Sequence, residues 1–330
     1  MIYIINRSTN PFFNMALEEY LFTSDKFQQD IFLLWQNEKT IVVGRHQNTL
    51  EEINNEYVKN NSIQVVRRLS GGGAVYHDSG NLNFTFIKRN VNRQEINFNY
   101  FVQPVIAALA KLGLQADFSG RNDIMIDGRK FSGNAQYFTS KGLLHHGTLL
   151  FDSDFGVLGK CLNVKEHKYI SKGVKSVQSR VVNIKQCMSG EYTLEEFKNK
   201  LVETVFAYLE QKPMQIELDE EDQDAIRELV VTRYGTWEWN YGESPQYNFR
   251  QEKILPGGTV TVFLEIGNGF VERCTIHGDF FTFADINEVT RALIGVRHEE
   301  TAIREVLAAL QAEKYFYQME LDDLVTCFFE

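Results

Sequence analysis

The sequence predicts an α+β fold in which helices flank a mixed β-sheet, followed by a small α/β domain. Three observations carry this. Strand and hairpin signals alternate with amphipathic helical runs, a pattern that suits a mixed sheet better than a doubly wound parallel one. The character changes after Trp237-Glu238-Trp239-Asn240-Tyr241-Gly242, where residues 246–283 alternate like antiparallel strands. A length of 330 residues suits about two domains at roughly 100–200 residues each.

The elements follow in order. Asn10-Pro11 reads as a helix start, with asparagine as cap and proline at the first helical position. Phe13, Leu17, Tyr20 and Leu21 then recur at helical spacing. Residues 31–35 and 40–43 read as strands joined by the polar turn 36–39, and 50–60 as one helix. The short β-branched run 63–66 leads into Arg67-Arg68 and a glycine-rich loop, with a strand at 82–87 beyond it. A helix is expected at 100–112. Asp127-Gly128 is a hairpin turn between strands 124–126 and 129–132. Another strand is expected at 143–151, a short helix at 155–162, and helices at 193–210 and 220–232. In the last part, Pro256-Gly257-Gly258 and Gly267-Asn268-Gly269 are turns, and helices at 285–294 and 301–312 close the chain. Gly242 and Pro245 punctuate a domain boundary near 242–246.

Composition narrows the class. With 43% hydrophobic residues and a net charge of −10, the chain reads as an ordinary soluble globular protein. The acidic balance, with the acidic stretch 217–228, argues against nucleic acid as the main partner. The apolar opening Met1–Ile5 is cut short by Asn6-Arg7, which is too brief for a secretory signal, and no run reaches the roughly 20 apolar residues of a membrane span. Cys161, Cys187, Cys274 and Cys327 have neither metal-ligand nor redox spacing, which fits a reducing, cytoplasmic compartment.

Three segments carry chemistry. The first is Arg67-Arg68-Leu69-Ser70-Gly71-Gly72-Gly73-Ala74-Val75-Tyr76-His77-Asp78-Ser79-Gly80-Asn81. Three glycines let the backbone approach a ligand closely, and successive N–H groups make a concave anion site. Two arginines beside it suit forked pairing with phosphate or carboxylate. The plainer reading is a flexible turn between strands. It is neither a P-loop, for want of a Gly-Lys-Ser/Thr ending, nor a dinucleotide fingerprint, because a strand follows. The second segment is Gly120-Arg121-Asn122-Asp123 with Gly128-Arg129-Lys130-Phe131-Ser132-Gly133-Asn134-Ala135. Lys130, followed by small residues, suits an anionic group as a compact point charge; taken alone it reads more readily as an ordinary solvated lysine beside a turn. Asp123 suits a magnesium ion, or a structural pairing with Arg121. The third is His145-His146-Gly147-Thr148-Leu149-Leu150. Neighbours on a strand face opposite sides, so at most one histidine lines a site, and zinc is disfavoured.

In order and spacing these segments resemble the lipoate–protein ligase family. Its RRxSGGGAVxHDxGN loop stands at 67–81, its GRND…GRKxSGxA segment at 120–135 and its HHGTLL at 145–150. A KGxxSVxSRVxN segment stands at 172–183 and WEWNYG at 237–242. The resemblance is dense over the first 242 residues. Leu69 departs from members with a third arginine.

The resemblance implies a catalytic domain over 1–244, of the biotin/lipoate protein ligase type, and an accessory domain over 245–330. It implies an enzyme that uses ATP and Mg2+ to turn lipoate, or octanoate, into an acyl adenylate and passes the acyl group to a lysine of a partner. Expected partners are the glycine-cleavage H protein and the lipoyl domains of 2-oxoacid dehydrogenases, and the enzyme is expected to be monomeric. Carried over residue by residue, Arg68, Gly73, Ala74, Val75, Tyr76, Asn81 and Asp123 bind the nucleotide. Gly72, His77, Ala135 and His146 bind lipoate. Lys130 meets both the acyl carbonyl and the α-phosphate. Lys172, Gly173, Ser176, Ser179 and Arg180 belong to a loop that closes over the adenylate. The rival is an amidotransferase of the same fold that carries the acyl group on a cysteine without ATP. No cysteine lies in the three segments, and Cys161 reads as core.

Overall fold

The computed structural model describes residues 1–91, 97–120, 122–162, 180–241 and 248–329. The expected boundary at 244/245 and residues 172–179 of the expected closing loop lie outside them. No helix among the described residues is long and apolar enough to cross a membrane.

An eight-stranded sheet organises the N-terminal part. Its strands are β1 (Ile2–Ile5), β2 (Ile31–Trp35), β6 (Asn81–Lys88), β7 (Asp117–Ser119), β8 (Asp123–Ile126), β9 (Arg129–Thr139), β10 (Gly142–Leu150) and β11 (Met214–Glu217), in the order β11-β1-β2-β6-β10-β9-β8-β7. β1 runs parallel to both its neighbours, and the remaining pairs are antiparallel. The sheet is therefore mixed, as expected. Every residue of β2 is buried, which requires cover on both faces. Phe32 and Leu34 pack on one side with helices α4 (Phe98–Lys111) and α7 (Leu194–Tyr208), through Phe101, Val105, Phe197 and Leu201. Ile31, Leu33 and Trp35 pack on the other with α1 (Pro11–Thr23), through Met15, Leu17 and Phe22.

Local chemistry explains the element ends. Asn10 caps α1, its side chain accepting from the N–H groups of Phe12 and Phe13 at 2.9 and 3.1 Å, with Pro11 at the first turn. Thr193 and Glu196 form a reciprocal capping box at the start of α7. The turn between β8 and β9 has positive φ at both Asp127 and Gly128, as the shortest hairpins require.

β2 and β3 (Thr40–Val43) are strands joined by a turn as expected, and that turn carries the chain into a second sheet, β4 (Gln64–Arg67), β3 and β5 (Val75–His77). Several expectations are corrected. β5 lies inside the stretch read as pure loop. The helix expected at 50–60 is two, α2 (Thr49–Glu52) and α3 (Asn55–Asn60), because Ile53 bridges to Leu162 and Asn54 caps the second piece. Helix α8 (Glu220–Leu229) runs on as a wide π-turn over Val230–Tyr234. α5 (Phe155–Cys161), α6 (Ile184–Cys187) and α9 (Trp237–Asn240) are short connecting pieces.

The C-terminal part is a three-stranded antiparallel sheet, β12 (Phe249–Leu255), β13 (Gly258–Gly267) and β14 (Phe270–Gly278). It is covered by α10 (Asn287–Leu293), α11 (Glu300–Leu310) and α12 (Leu321–Thr326). The last helix was not anticipated. This part docks on the glycine-rich loop: Gly72 N–H donates to Phe280 O (3.3 Å), Gly278 N–H to His46 O (2.8 Å), and Phe280 stacks on His46.

Arg67 ties the N-terminal pieces together. Its buried guanidinium donates to the carbonyls of Gly44, Gln47, Trp239 and Asn240 and to Thr49 Oγ1, all within 3.2 Å. Arg67→Leu leaves those acceptors without their donor. It should cost about 3 kcal/mol or more of stability, read as a fall in the urea midpoint at unchanged slope. A midpoint within error of wild type would refute this role.

Candidate active site

The register of the large sheet sets one row of residues across the strands. Trp35 pairs with Asn83, and Asn83 with Thr148. Thr148 Oγ1 then accepts from Gly133 N–H (3.1 Å), and Gly133 pairs with Asp123. Directly paired residues share a face, so this row from β2 to β8 floors a single cavity of about 300 Å3. Four interstrand gaps make it roughly 19 Å long. Helix α1 walls it with Met15, β3 with Val42, and the glycine-rich loop with Gly72, Gly73, Ala74 and Val75.

The two ends differ in polarity. At the β8–β9 end, Lys130 Nζ lies 2.7 Å from Asp123 Oδ1, and the two side chains are 35% and 32% exposed. A Cβ on Gly133 would come within 2.9 Å of Lys130 Nζ, so glycine there leaves the lysine its path. At the other end Met15, Trp35 and His77 are buried.

Arg68 lines the cavity, but its donors are engaged. Nε reaches Ser70 Oγ (3.1 Å), Nη1 reaches Val42 O (3.1 Å), and Nη2 reaches the carbonyls of Gly71 (2.7 Å) and Gly73 (2.8 Å). With Arg67 engaged as described, the forked pairing with phosphate expected of the two arginines is taken up by the protein's own carbonyls. Burial pushes both guanidiniums down to about 10, so both stay charged at neutral pH.

The adjacent histidines divide as strand geometry requires. His146 lines the cavity. Its Nδ1 sits 3.0 Å from both oxygens of Glu18, and its Nε2 is 2.6 Å from Ser70 Oγ. This is an acid–histidine–serine chain, but Ser70 is buried and also accepts from Arg68 Nε. It holds the loop to α1 and offers no exposed nucleophile. His145 faces the opposite side, stacked on Phe101 at 5.1 Å.

Of the expected site residues, Arg68, Gly72, Gly73, Ala74, Val75, His77, Asp123, Lys130, Ala135 and His146 share this cavity. Tyr76 does not; it packs with Ile41 and Cys161. Nor does Asn81, which donates to Asn83 Oδ1 (3.0 Å). Arg180 is exposed and does not line the cavity, although its neighbour Val181 bridges to Lys130; Lys172, Gly173, Ser176 and Ser179 are outside the described residues. Sequence reasoning missed Met15, Glu18, Trp35, Asn83 and Thr148. Glu18 had one signal: a carboxylate on the apolar stripe of α1, between Met15 and Phe22.

Comparison with known proteins decides the family. The family model "Lipoyl protein ligase A/B catalytic domain" matches residues 10–206. The chain belongs to this family of lipoate–protein ligases. A second model, "Bacterial lipoate protein ligase C-terminus", matches 244–328. A lipoate-protein ligase of Bacillus subtilis is 42% identical over 327 residues, covering 98% of this chain and 99% of its own. The fold matches that of P. falciparum LipL1 in complex with lipoate, with a TM-score of 0.81, 24% identity and 98% of each chain covered. A lipoate-protein ligase A bound with ATP matches with a TM-score of 0.64 and 26% identity, covering 73% of this chain and 98% of its own.

No cysteine lines the cavity of this ligase-family chain. Cys161 is wholly buried, and burial pushes its thiol up to about 12. The thiolate that the amidotransferase reading requires is therefore lacking at this position.

Two buried histidines make the fold acid-sensitive. Burial, with Arg68 and His146 nearby, pushes His77 down to about 3; burial likewise holds His145 well below its ordinary value. Unfolded histidine takes a proton near pH 6.5. The stability these groups contribute is therefore fully present above pH ~6.5. It is lost as pH falls from there towards 3, at up to about 1.4 kcal/mol per pH unit for each histidine. Urea midpoints between pH 8 and 4.5 should be flat down to about 6.5 and then fall. A flat profile to pH 4.5 would rule this out.

Proposed function

We propose that the protein is an ATP-dependent lipoate–protein ligase. The single observation that carries this is the cavity's gradient: a charged, half-exposed Lys130–Asp123 end joined by one sheet row to a buried, mostly apolar end. That gradient suits an acid with a long apolar tail, carboxylate at Lys130 and tail towards Trp35 and Met15. Family membership and the ATP-bound relative support the activation chemistry.

In the first step a carboxylate oxygen attacks the α-phosphorus of ATP, the bond to the bridging oxygen breaks, and pyrophosphate leaves. Both reactants are anions. Lys130 neutralises charge on the acyl oxygen and the α-phosphate as the bond forms, at a cavity whose loop already carries the buried Arg68 charge. The N–H groups of Gly73, Ala74 and Val75 cradle the phosphate. No group of three metal-ligating side chains occurs among the described residues. A hard cation held by phosphate oxygens and water needs only one or two carboxylates, and Asp123 fits that role. Magnesium there would supply further neutralisation. In the second step the neutral amine of a partner's lysine attacks the acyl carbonyl carbon. The carbonyl–oxygen bond to AMP breaks, and the amine proton passes to solvent. The acceptors we propose are lipoyl domains of 2-oxoacid dehydrogenases and the glycine-cleavage H protein. Four unpaired cysteines suit a reducing cytoplasm, and we take the enzyme to act as a monomer.

Purified protein with lipoate, Mg2+ and an apo lipoyl domain should add one lipoyl mass to the acceptor only when ATP is present, releasing AMP. Acyl transfer without ATP would overturn the proposal in favour of a thioester route. Lys130→Ala should lower AMP formation by about 100-fold or more; activity within a few-fold of wild type would remove Lys130 from the chemistry. Cys161→Ser should leave ligation within about twofold, and complete loss would reopen the thioester reading.

A further inference from the structure

Lys130 faces the cavity out of turn. On β9, Gly133 and Ala135 line the cavity. Strict alternation back from them would bring Phe131 to that face and turn Lys130 away. The pairing with β8 slips at this point. Gly133 pairs with Asp123 and Ser132 with Ile124, but Lys130, not Phe131, pairs with Met125. Phe131 is thus the extra residue of a β-bulge. Its side chain and that of Ser132 share the far face. Phe131 packs with Ile124 and Ile126 in the core, and Ser132 Oγ accepts from Asn134 Nδ2 (3.3 Å), whose amide oxygen meets His145. Two successive residues on one face return Lys130 to the other, 2.7 Å from Asp123 Oδ1.

The strand also changes neighbours here. β10 pairs with β9 only as far as Asn134, and Gly133 N–H turns to Thr148 Oγ1 instead. A distant segment takes the place beside Lys130. Val181 bridges to Lys130 in parallel, and Val182 N–H donates to Lys130 O (2.9 Å). Asn183 fixes that segment. Its side chain is buried, accepts from Ser153 N–H and donates to Ser153 O, both at 3.0 Å. Val182 and Ile184, on either side of it, are buried in the core. Asn183 itself does not line the cavity.

We propose that the bulge at Phe131–Ser132 aims Lys130 at the reacting carboxylate, and that Asn183 is the positioning residue that holds this aim by seating Val182 against the Lys130 carbonyl. This deepens the ligase reading and rests on it for the role of Lys130. A lysine side chain is a flexible stem, so the direction of its charge depends on where its backbone stands. Bulges re-aim side chains beside active sites in this way. Without the Asn183–Ser153 hydrogen bonds, Val182 loses its fixed seat, and the bulged backbone at Lys130 loses its outer partner. An error of about 1 Å at a reacting group is enough to slow chemistry by orders of magnitude.

A double-mutant cycle on lipoate-dependent AMP formation tests this. Asn183→Ala should lower the rate about tenfold when Lys130 is present. In a Lys130→Ala background the same change should cost less than about twofold, because a residue that acts only through Lys130 has nothing left to act on. Equal fractional losses in both backgrounds mark Asn183 as merely structural and overturn the proposal. An unchanged rate in the single variant overturns it too. Hydrogen exchange on the wild type gives a reading independent of any variant's folding. The Val182 amide, bonded to Lys130 O, should exchange far more slowly than an unstructured amide; exchange at the unstructured rate overturns the proposal. Failure of the ligase reading looks different. Wild type that forms no AMP from lipoate and ATP removes that reading and the aim of Lys130 with it. Active wild type with equal losses across the cycle removes the positioning role alone.

Discussion

Two adjacent buried guanidiniums hold the site together. Arg67 and Arg68 donate to carbonyl and hydroxyl oxygens and, among the described residues, to no carboxylate. A buried charge must be solvated by the protein if water is excluded, and here backbone carbonyls from several chain segments do it. The consequence runs both ways. Each carbonyl oriented towards a guanidinium is fixed in direction, so the glycine-rich loop, the turn at Gly44 and the segment at Trp239–Asn240 lose their freedom together. The positive charge is not cancelled by a neighbouring carboxylate fork. Glu18 offsets part of the charge at Arg68, and the remainder stands beside a cavity whose proposed substrates are two anions that repel each other.

The loop's three glycines divide the labour that this clamp imposes. A Cβ on Gly71 would sit 2.2 Å from Phe280 O, so that position belongs to the contact with the C-terminal part. Gly72 has φ +90, a backbone shape that other residues avoid. Gly73 has open space around its missing Cβ and lines the cavity. One short run therefore serves a docking surface, a bend and a ligand approach at once.

The fold class and most element positions were legible because they depend on local pattern: Asn10-Pro11 as a cap, Asp127-Gly128 as a turn, alternation after residue 246. The misses depended on tertiary contacts. Whether residues 50–60 form one helix is decided by Ile53 reaching Leu162 across the fold, which no local propensity records. β5 was hidden because its three residues gain strand character only by pairing with β3. Ten expected site residues share the cavity because sequence motifs concentrate them in three segments. Trp35, Asn83 and Thr148 escaped because they come from three strands and become neighbours only through register.

That register also explains why a planar sheet can sort the two ends of a small molecule. A substrate lying across the strands meets one residue from each, so polarity along it can be set strand by strand. β8 and β9 lie near the sheet's edge, where Asp123 and Lys130 keep partial access to water. β2 is interior and covered on both faces, so Trp35 is dry. The carboxylate end of an amphipathic acid loses least solvation at the edge, and its tail gains most in the middle. Orientation thus follows from where each strand sits in the sheet order.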